Sequence, residues 1–173
     1  MSGAGDTGTS SRSFGTLLSW LSDHKSPVFV IGTSNNFTIL PPEMIRKGRF
    51  DELFWLDLPT DRDKVAIFSV LLKRYGRDPQ KFDIRKLSKA APGFTGAEIE
   101  QVLISAMFKC FSEGGREIKD SDLLSELSNT IPQSKVNEVE LSLMRDEARN
   151  KLRMAGDDGI VAGVSEELRQ IAI

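Results

Sequence analysis

Residues 28–33 of this 173-residue chain, VFVIGT, form a short apolar run that is rich in β-branched side chains. Such a run is typical of a strand that is covered on both faces, as in a parallel sheet with helices on either side. A strand of this kind needs neighbours, and the sequence offers only one other candidate, LFWLDL at residues 53–58. Because two strands do not make an α/β sheet, we predict that the chain begins inside an α/β domain whose other strands lie elsewhere.

The composition is ordinary for a folded chain in water, with 39% hydrophobic and 28% charged residues. The net charge of -2 gives no whole-chain electrostatic reason to bind nucleic acid or an anionic membrane. Cys110 and His24 are the only cysteine and histidine, which excludes an intrachain disulfide and a zinc site built from these residue types. No apolar run approaches the roughly 20 residues of a membrane span, so we expect a soluble intracellular protein.

After Pro59 the sequence changes to the 3.6-residue periodicity of amphipathic helices. Four helices are predicted to begin at Thr60, Asp83, Thr95 and Asp120. A long charged helix with a thin apolar stripe is predicted over residues 134–155, followed by a weak helix or tail. The part of the chain after residue 59 is therefore expected to be entirely helical.

Two local predictions concern the ends of helices. Thr95 and Glu98 have the spacing of a capping box, which places the start of a helix at Gly96. The broad apolar face of this helix is predicted to be core, and consists of Ile99, Val102, Leu103, Ala106, Met107, Cys110 and Phe111.

Near the N-terminus, the Gly-, Ser- and Thr-rich residues 1–12 predict a flexible loop before the first helix.

Polar side chains follow the predicted strand at residues 28–33, in the sequence Ser34-Asn35-Asn36. The carboxyl end of a parallel strand is where α/β proteins bind ligands, and an amide there offers both a donor and an acceptor to a water. The alternative is that the asparagines form a turn, as asparagine pairs commonly do.

A pair of arginines follows in PPEMIRKGRFDE, residues 41–52, which predicts a short helix opened by prolines. Arg46 and Arg49 lie three residues apart at its end, so that both guanidinium groups are able to reach one anionic group such as a phosphate. The alternative is a solvated basic turn in which the arginines pair with Asp51 or Glu52.

In their order and spacing, these segments resemble an AAA ATPase. GTSNNFTILPPEMIRKGRFDELFWLDLP is similar to the second half of the AAA core, and PGFTGAEIEQ at residues 92–101 is similar to the sensor-2 region of the AAA lid. Together with GDTGTSSRSFGTLLSWL near the N-terminus, they look most like the hypothetical AAA ATPases encoded in algal plastids and cyanobacteria.

The resemblance implies roles for five residues. Asn35 corresponds to the sensor-1 asparagine, which positions the attacking water, and Arg46 and Arg49 correspond to the arginine fingers that reach a neighbouring subunit. Gly96 and Ala97 correspond to the pair that packs against the adenine and ribose. The resemblance also implies ATP and Mg²⁺ in the complete protein, a ring of six subunits formed with other AAA subunits, and a place in the bacterial cytoplasm or the plastid stroma.

The expected fold class is α/β, as the C-terminal portion of a P-loop AAA core followed by an all-helical lid and a helical tail. The expected boundaries are 1–59 for the core portion, 60–131 for the lid and 132–173 for the C-terminal extension. Neither a G-x-x-x-x-G-K-[ST] loop nor an apolar strand ending in Asp-Glu occurs. Leu71 also stands where many family members have a histidine that faces the nucleotide.

Because a triphosphate is held mainly by such a loop, we expect the isolated chain to hold no cofactor and to hydrolyse no ATP. Two hypotheses remain open. The chain is either part of an ATP-hydrolysing ring protein or a non-catalytic lid and arginine-finger module that acts as an adaptor or oligomerisation partner. Nothing in the sequence indicates the substrate of such a motor.

Overall fold

The computed structural model describes residues 6–45 and 49–155, and their contacts divide the chain into two compact units. Unit 1 comprises Met1–Trp55 and Asp146–Ile173, and unit 2 comprises Leu56–Arg145. The described part is mostly helical with one small parallel sheet of two strands. The predicted boundaries at 59/60 and 131/132 stay predictions.

In the described part of unit 1, two helices precede the sheet. Helix α1 spans Asp6–Asp23, and the short helix α2 spans Pro42–Ile45. The flexible loop predicted for residues 1–12 was therefore wrong from Asp6 onward. Once a helix is nucleated, each added residue costs little, so a polar segment of modest propensity is able to extend it.

The strand predicted at residues 28–33 is absent, because this described segment has no regular secondary structure. The side chains of Val28, Phe29 and Ile31 are 54%, 89% and 77% exposed. A strand requires partners for its backbone N–H and C=O groups, and the two strands that the structure describes lie elsewhere in the sequence. The apolar pattern alone was not sufficient to form this strand.

The second predicted strand, at residues 53–58, is reduced to β1, Phe54–Trp55. It pairs in parallel with β2, Arg153–Met154, so that Phe54 lies opposite Arg153 and Trp55 opposite Met154. Strand β2 lies inside the segment that was predicted as one long helix. That prediction was wrong in one further way, because α7, Gln133–Val136, and α8, Glu138–Lys151, are separate helices with Asn137 between them.

Unit 2 contains the main hydrophobic core, and its four principal helices begin where the sequence predicted. They are α3, Asp61–Arg74; α4, Ile84–Ala90; α5, Gly96–Ser112; and α6, Asp120–Asn129, with a 3₁₀ turn at Pro79–Lys81. Phe68, Leu72, Leu87, Ile99, Leu103 and Leu123 are fully buried between them. Thr60 with Asp63 and Thr95 with Glu98 form complete capping boxes.

The predicted apolar face of α5 is core except at its C-terminal end. Phe111 is 77% exposed and Phe108 is 70% exposed, whereas Cys110 between them is buried. The prediction that Phe111 is core was therefore wrong, because Phe111, three residues after Phe108, lies on a face of α5 that the core does not cover. Among the described residues, no helix is both long and apolar enough to cross a membrane.

Candidate functional site

The two asparagines after residue 33 have different surroundings. Asn36 closes a turn, because its Oδ1 accepts from the Thr38 backbone N–H at 2.9 Å and from the Thr38 hydroxyl at 2.7 Å. Ser34 donates its hydroxyl to the Asn36 carbonyl oxygen at 2.8 Å. Asn35 lies exposed between them. The turn interpretation therefore describes Asn36, while the amide of Asn35 is accessible to a solvent molecule or a ligand.

Arg49 lies just after α2, and two contacts orient its guanidinium group. Its Nε donates to Ser22 Oγ on α1 at 3.3 Å, and its Nη1 donates to the carbonyl oxygen of Glu43 on α2 at 3.1 Å. These partners differ from the Asp51 and Glu52 carboxylates of the solvated-turn alternative. Arg46 lies outside the described residues, so the structure does not show whether the two arginines meet.

Gly96 and Ala97 form the first turn of α5, immediately after the cap residue Thr95. The Thr95 hydroxyl accepts from the Glu98 N–H at 3.3 Å, and Glu98 Oε2 in turn accepts from the Thr95 N–H at 2.8 Å. A Cβ built on Gly96 would meet only Ile67 Cδ1, at 3.8 Å, which is an ordinary contact. Gly96 is thus not required by packing within unit 2, and the small first turn leaves backbone that a planar ligand is able to approach.

Glu98 joins this helix start to the segment after α6. Its Oε1 accepts from the Gln133 N–H at 2.7 Å, and Ser134 donates to the Gly93 carbonyl oxygen at 2.7 Å. Burial raises the pKa of Glu98, but the hydrogen bonds from Gln133 and Thr95 outweigh it and leave that pKa below its usual value. The carboxylate is therefore ionised at neutral pH, and it joins the start of α5, which contains Gly96 and Ala97, to the segment after α6.

Lys64 is a buried residue that the sequence reasoning missed. Its side chain on α3 donates to the Ala91 carbonyl oxygen at 3.1 Å and pairs with Asp61 Oδ1 at 2.7 Å. Ala91 is the C-terminal cap of α4, where a positive charge is favourable for the helix dipole. No local pattern could have indicated this contact, because the two residues are 27 positions apart.

Leu71, which stands where many AAA proteins have a histidine, is a core residue of unit 2 with 7% exposure. The other candidate residues are divided between the units, with Asn35 and Arg49 in unit 1 and Gly96 and Ala97 in unit 2. Within the described ranges, no group of three or more His, Cys, Asp or Glu side chains is arranged to hold a metal ion. Of the candidate residues, Gly96 and Ala97 have the small side chains that a close contact with a base or ribose requires.

Comparison with known protein families gives two matches, one in each part of the chain. Residues 1–58 match the ATPase family associated with various cellular activities (AAA), and residues 81–125 match the AAA+ lid domain. The chain belongs to the AAA family. It carries the C-terminal portion of the AAA core followed by the helical lid, in the order that the motifs predicted.

Several curated AAA proteins are similar over most of the chain. An uncharacterized AAA domain-containing protein, ycf46, of Gracilaria tenuistipitata var. liui is 43% identical over 152 residues, which is 87% of this chain and 31% of that protein. The protein of the same name from Pyropia yezoensis is 47% identical over 129 residues, covering 74% and 26%. A proteasome-activating nucleotidase of Saccharolobus islandicus is 30% identical over 101 residues, covering 58% and 25%. The AAA chain described here spans about a third or less of the length of these relatives.

Proposed function

We propose that this chain is the part of an ATP-hydrolysing AAA ring protein that responds to nucleotide, with the sensor, the arginine finger and the lid. The observation that carries the proposal is the placement of Arg49, whose guanidinium is held at the end of α2 by Ser22 and Glu43. A guanidinium that is oriented in this way loses little rotamer freedom when it meets a phosphate. The matches to the AAA core and the AAA+ lid support the same role.

In the proposed ring, bound ATP would supply the phosphoryl group, and Mg²⁺ would neutralise part of the charge on its phosphates. The amide of Asn35 orients the attacking water through its donor and acceptor atoms. Arg49, together with Arg46, extends from this subunit toward the nucleotide of its neighbour and stabilises charge that develops in the transition state. Gly96 and Ala97 contact the base and ribose, so that α5 moves with the nucleotide state.

The ring is proposed to be a homo-oligomer, and six subunits is the number suggested by analogy. The similarity to a proteasome-activating nucleotidase supports an oligomeric AAA ATPase, without indicating a substrate for this chain. The similarity to algal ycf46 proteins supports the plastid stroma as one location, and the bacterial cytoplasm is the other.

The test uses a longer protein that contains this chain and a nucleotide-binding loop. We expect Arg49→Ala to lower the ATPase rate by roughly 10³–10⁵-fold, because a transition-state contact is lost. ATP binding, measured by titration calorimetry, should change little, because the finger acts on the neighbouring site. Arg85→Ala, an exposed arginine on α4, is the matched control and should leave both quantities unchanged.

Two results would contradict this role. If ATP affinity fell as much as the rate, Arg49 would be a binding residue of its own site rather than a finger acting in trans. If the longer protein bound and hydrolysed no ATP at all, the non-catalytic adaptor hypothesis would replace the enzyme. The isolated 173-residue chain is expected to show no Arg49-dependent turnover, since it contains no Gly-Lys dipeptide.

A further inference from the structure

The parallel pairing of β1 with β2 has a topological consequence for the lid. Parallel strands cannot be joined by a tight hairpin and require a long crossover connection. Here the connection between Trp55 and Arg153 contains the whole of unit 2. The chain thus leaves unit 1 after Trp55 and returns to it after Arg145. The segment that leaves contains β1, the segment that returns leads to β2, and these two strands pair with each other.

On the unit 1 side, the two segments are joined by backbone hydrogen bonds. The Arg153 N–H donates to the Leu53 carbonyl oxygen at 3.0 Å, and the Ala155 N–H donates to the Trp55 carbonyl oxygen at 2.8 Å. An ion pair between Arg153 and Glu52 at 3.6 Å lies beside this ladder. The return segment of the chain is therefore bound directly to the departing segment.

On the unit 2 side, an ion pair joins the same two segments. Arg145 on α8 donates from Nε to Asp57 Oδ2 at 2.7 Å and from Nη2 to Asp57 Oδ1 at 2.6 Å. The side chains are only 29% and 27% exposed. The Leu58 N–H also donates to Asp57 Oδ1, at 2.7 Å. Bidentate guanidinium–carboxylate pairs are among the stronger polar contacts in proteins, and partial burial reduces their screening.

We propose that the contacts of residues 145–155 with residues 52–57 brace the connection between core and lid, and that Arg145 is a positioning residue that limits the motion of this connection. A lid that is joined to its core by one connecting segment is able to turn about that segment. Here two segments cross, the chain around Trp55 and the part of α8 around Arg145, and they are bonded to each other on both sides of the crossing. The mechanical part of the proposal stands on these contacts alone, while its effect on ATP hydrolysis rests on the proposed function.

The direct test is amide hydrogen exchange on the 173-residue chain, with Arg145→Ala compared with the control Arg149→Ala. Arg149 lies one turn further along α8 and its side chain is 63% exposed. We expect Arg145→Ala to speed exchange at Leu58, Arg153 and Ala155 by about three- to tenfold, the range set by a bidentate, partly exposed pair. The amides of the buried core in α5 and α6 should be unchanged.

Two further variants separate bracing from a general loss of stability. Arg145→Lys keeps the positive charge but is not able to form the bidentate pair, and should give an intermediate rate of amide exchange. The double variant Asp57→Arg with Arg145→Asp reverses the pair and should return exchange toward that of the parent chain. If Arg145→Ala also speeds exchange of the core amides, the double variant decides between bracing and a general loss of stability. Restored protection in the double variant supports the brace, and continued fast exchange overturns it.

Equal exchange in Arg145→Ala and Arg149→Ala would also overturn the brace. The longer AAA protein then tests the functional part, where Arg145→Ala should change the ATPase rate at saturating ATP and Arg149→Ala should not. Faster exchange with an unchanged ATPase rate would support the brace and contradict only its coupling to hydrolysis.

Discussion

Gly93 illustrates how one residue connects a turn to the rest of the lid. Its φ of +78° lies in the left-handed region that L side chains rarely adopt. A Cβ at this position would meet Ser134 Oγ at 2.5 Å, so that space as well as backbone conformation favours glycine. The turn before α5 and the segment after α6 therefore approach each other closely at a position where Gly93 has no side chain.

We predict that Gly93→Ala lowers the free energy of unfolding by about 1–3 kcal/mol, because of backbone strain and the contact with Ser134. Gly115 is the matched control, since its φ is +75° but a Cβ there would meet nothing within 4 Å. Gly115→Ala should therefore cost less than Gly93→Ala in chemical denaturation. Equal costs would show that the contact with Ser134 contributes nothing.

Asp122 is a residue whose charge state affects the stability of the α5–α6 junction. Arg116 donates to both of its carboxylate oxygens at 2.8 Å, and the Lys119 N–H donates to Oδ2 at 2.9 Å. The Arg116 contact, helped by Lys119 and opposed by burial, holds the pKa of Asp122 well below its usual value. Burial and the neighbouring Asp122 raise the pKa of the Cys110 thiol, which is consistent with an unreactive core cysteine.

The pH dependence of this pair follows from the lowered pKa. Its contribution to the free energy of unfolding is complete above the ordinary aspartate pKa of 3.8 and is lost as the pH falls below it. We predict that Asp122→Asn lowers the free energy of unfolding at pH 7. The difference in this free energy between the variant and the parent chain should narrow between about pH 4 and pH 2, as the carboxylate of the parent becomes protonated. Denaturation at several pH values measures this, and Asp146→Asn, at an exposed position, should show no such convergence.

At the scale of elements, the four lid helices form where local signals predict them. Each of α3 and α5 begins at a threonine whose hydroxyl accepts from the backbone N–H three residues on, with the reciprocal carboxylate contact. These signals lie within four residues of sequence, and so they were readable without a structure. The C-terminal end of the helix predicted over residues 134–155 could not be placed from the sequence, because Arg153–Met154 form a strand by pairing with β1.

The cap of α5 gives a prediction at this scale. Thr95→Ala removes the side-chain acceptor of the Glu98 N–H and should lower the free energy of unfolding by about 1 kcal/mol. Thr95→Ser retains the hydroxyl and should cost only a small part of this. Thermal or urea unfolding of the two variants distinguishes them, and an equal loss in both would indicate that the threonine methyl group, rather than the cap, is responsible.

At the scale of the whole molecule, the apolar side chains of Val28, Phe29 and Ile31 are exposed in this chain, whereas we expect them to be buried in a longer AAA protein. Phe29 is 89% exposed here, although the VFVIGT pattern is that of a strand buried on both faces. In a complete AAA core, neighbouring strands and helices would cover such a segment. Its exposure supports the proposal that this chain is a portion of a larger folded unit.

Phe29→Ala is predicted to have effects of different size in the two contexts. In the 173-residue chain it should change the free energy of unfolding by less than about 0.5 kcal/mol, as surface substitutions do. In a longer protein that completes the sheet it should cost about 3–5 kcal/mol, the usual loss for a buried phenylalanine. Phe68→Ala, at a fully buried lid position, should be destabilising in both. A small effect of Phe29→Ala in the longer protein would contradict the proposed strand.

By itself the sequence determined the family, the order of core and lid, and the starts of the four lid helices. These depend on short-range patterns such as capping boxes, prolines and helical periodicity, which act within a few residues. Only the tertiary structure decided that residues 28–33 form no strand, that Phe111 is exposed, and that Asp57 meets Arg145 across 88 positions. Each of these depends on a partner distant in sequence, because strands, buried faces and ion pairs are completed by other parts of the fold.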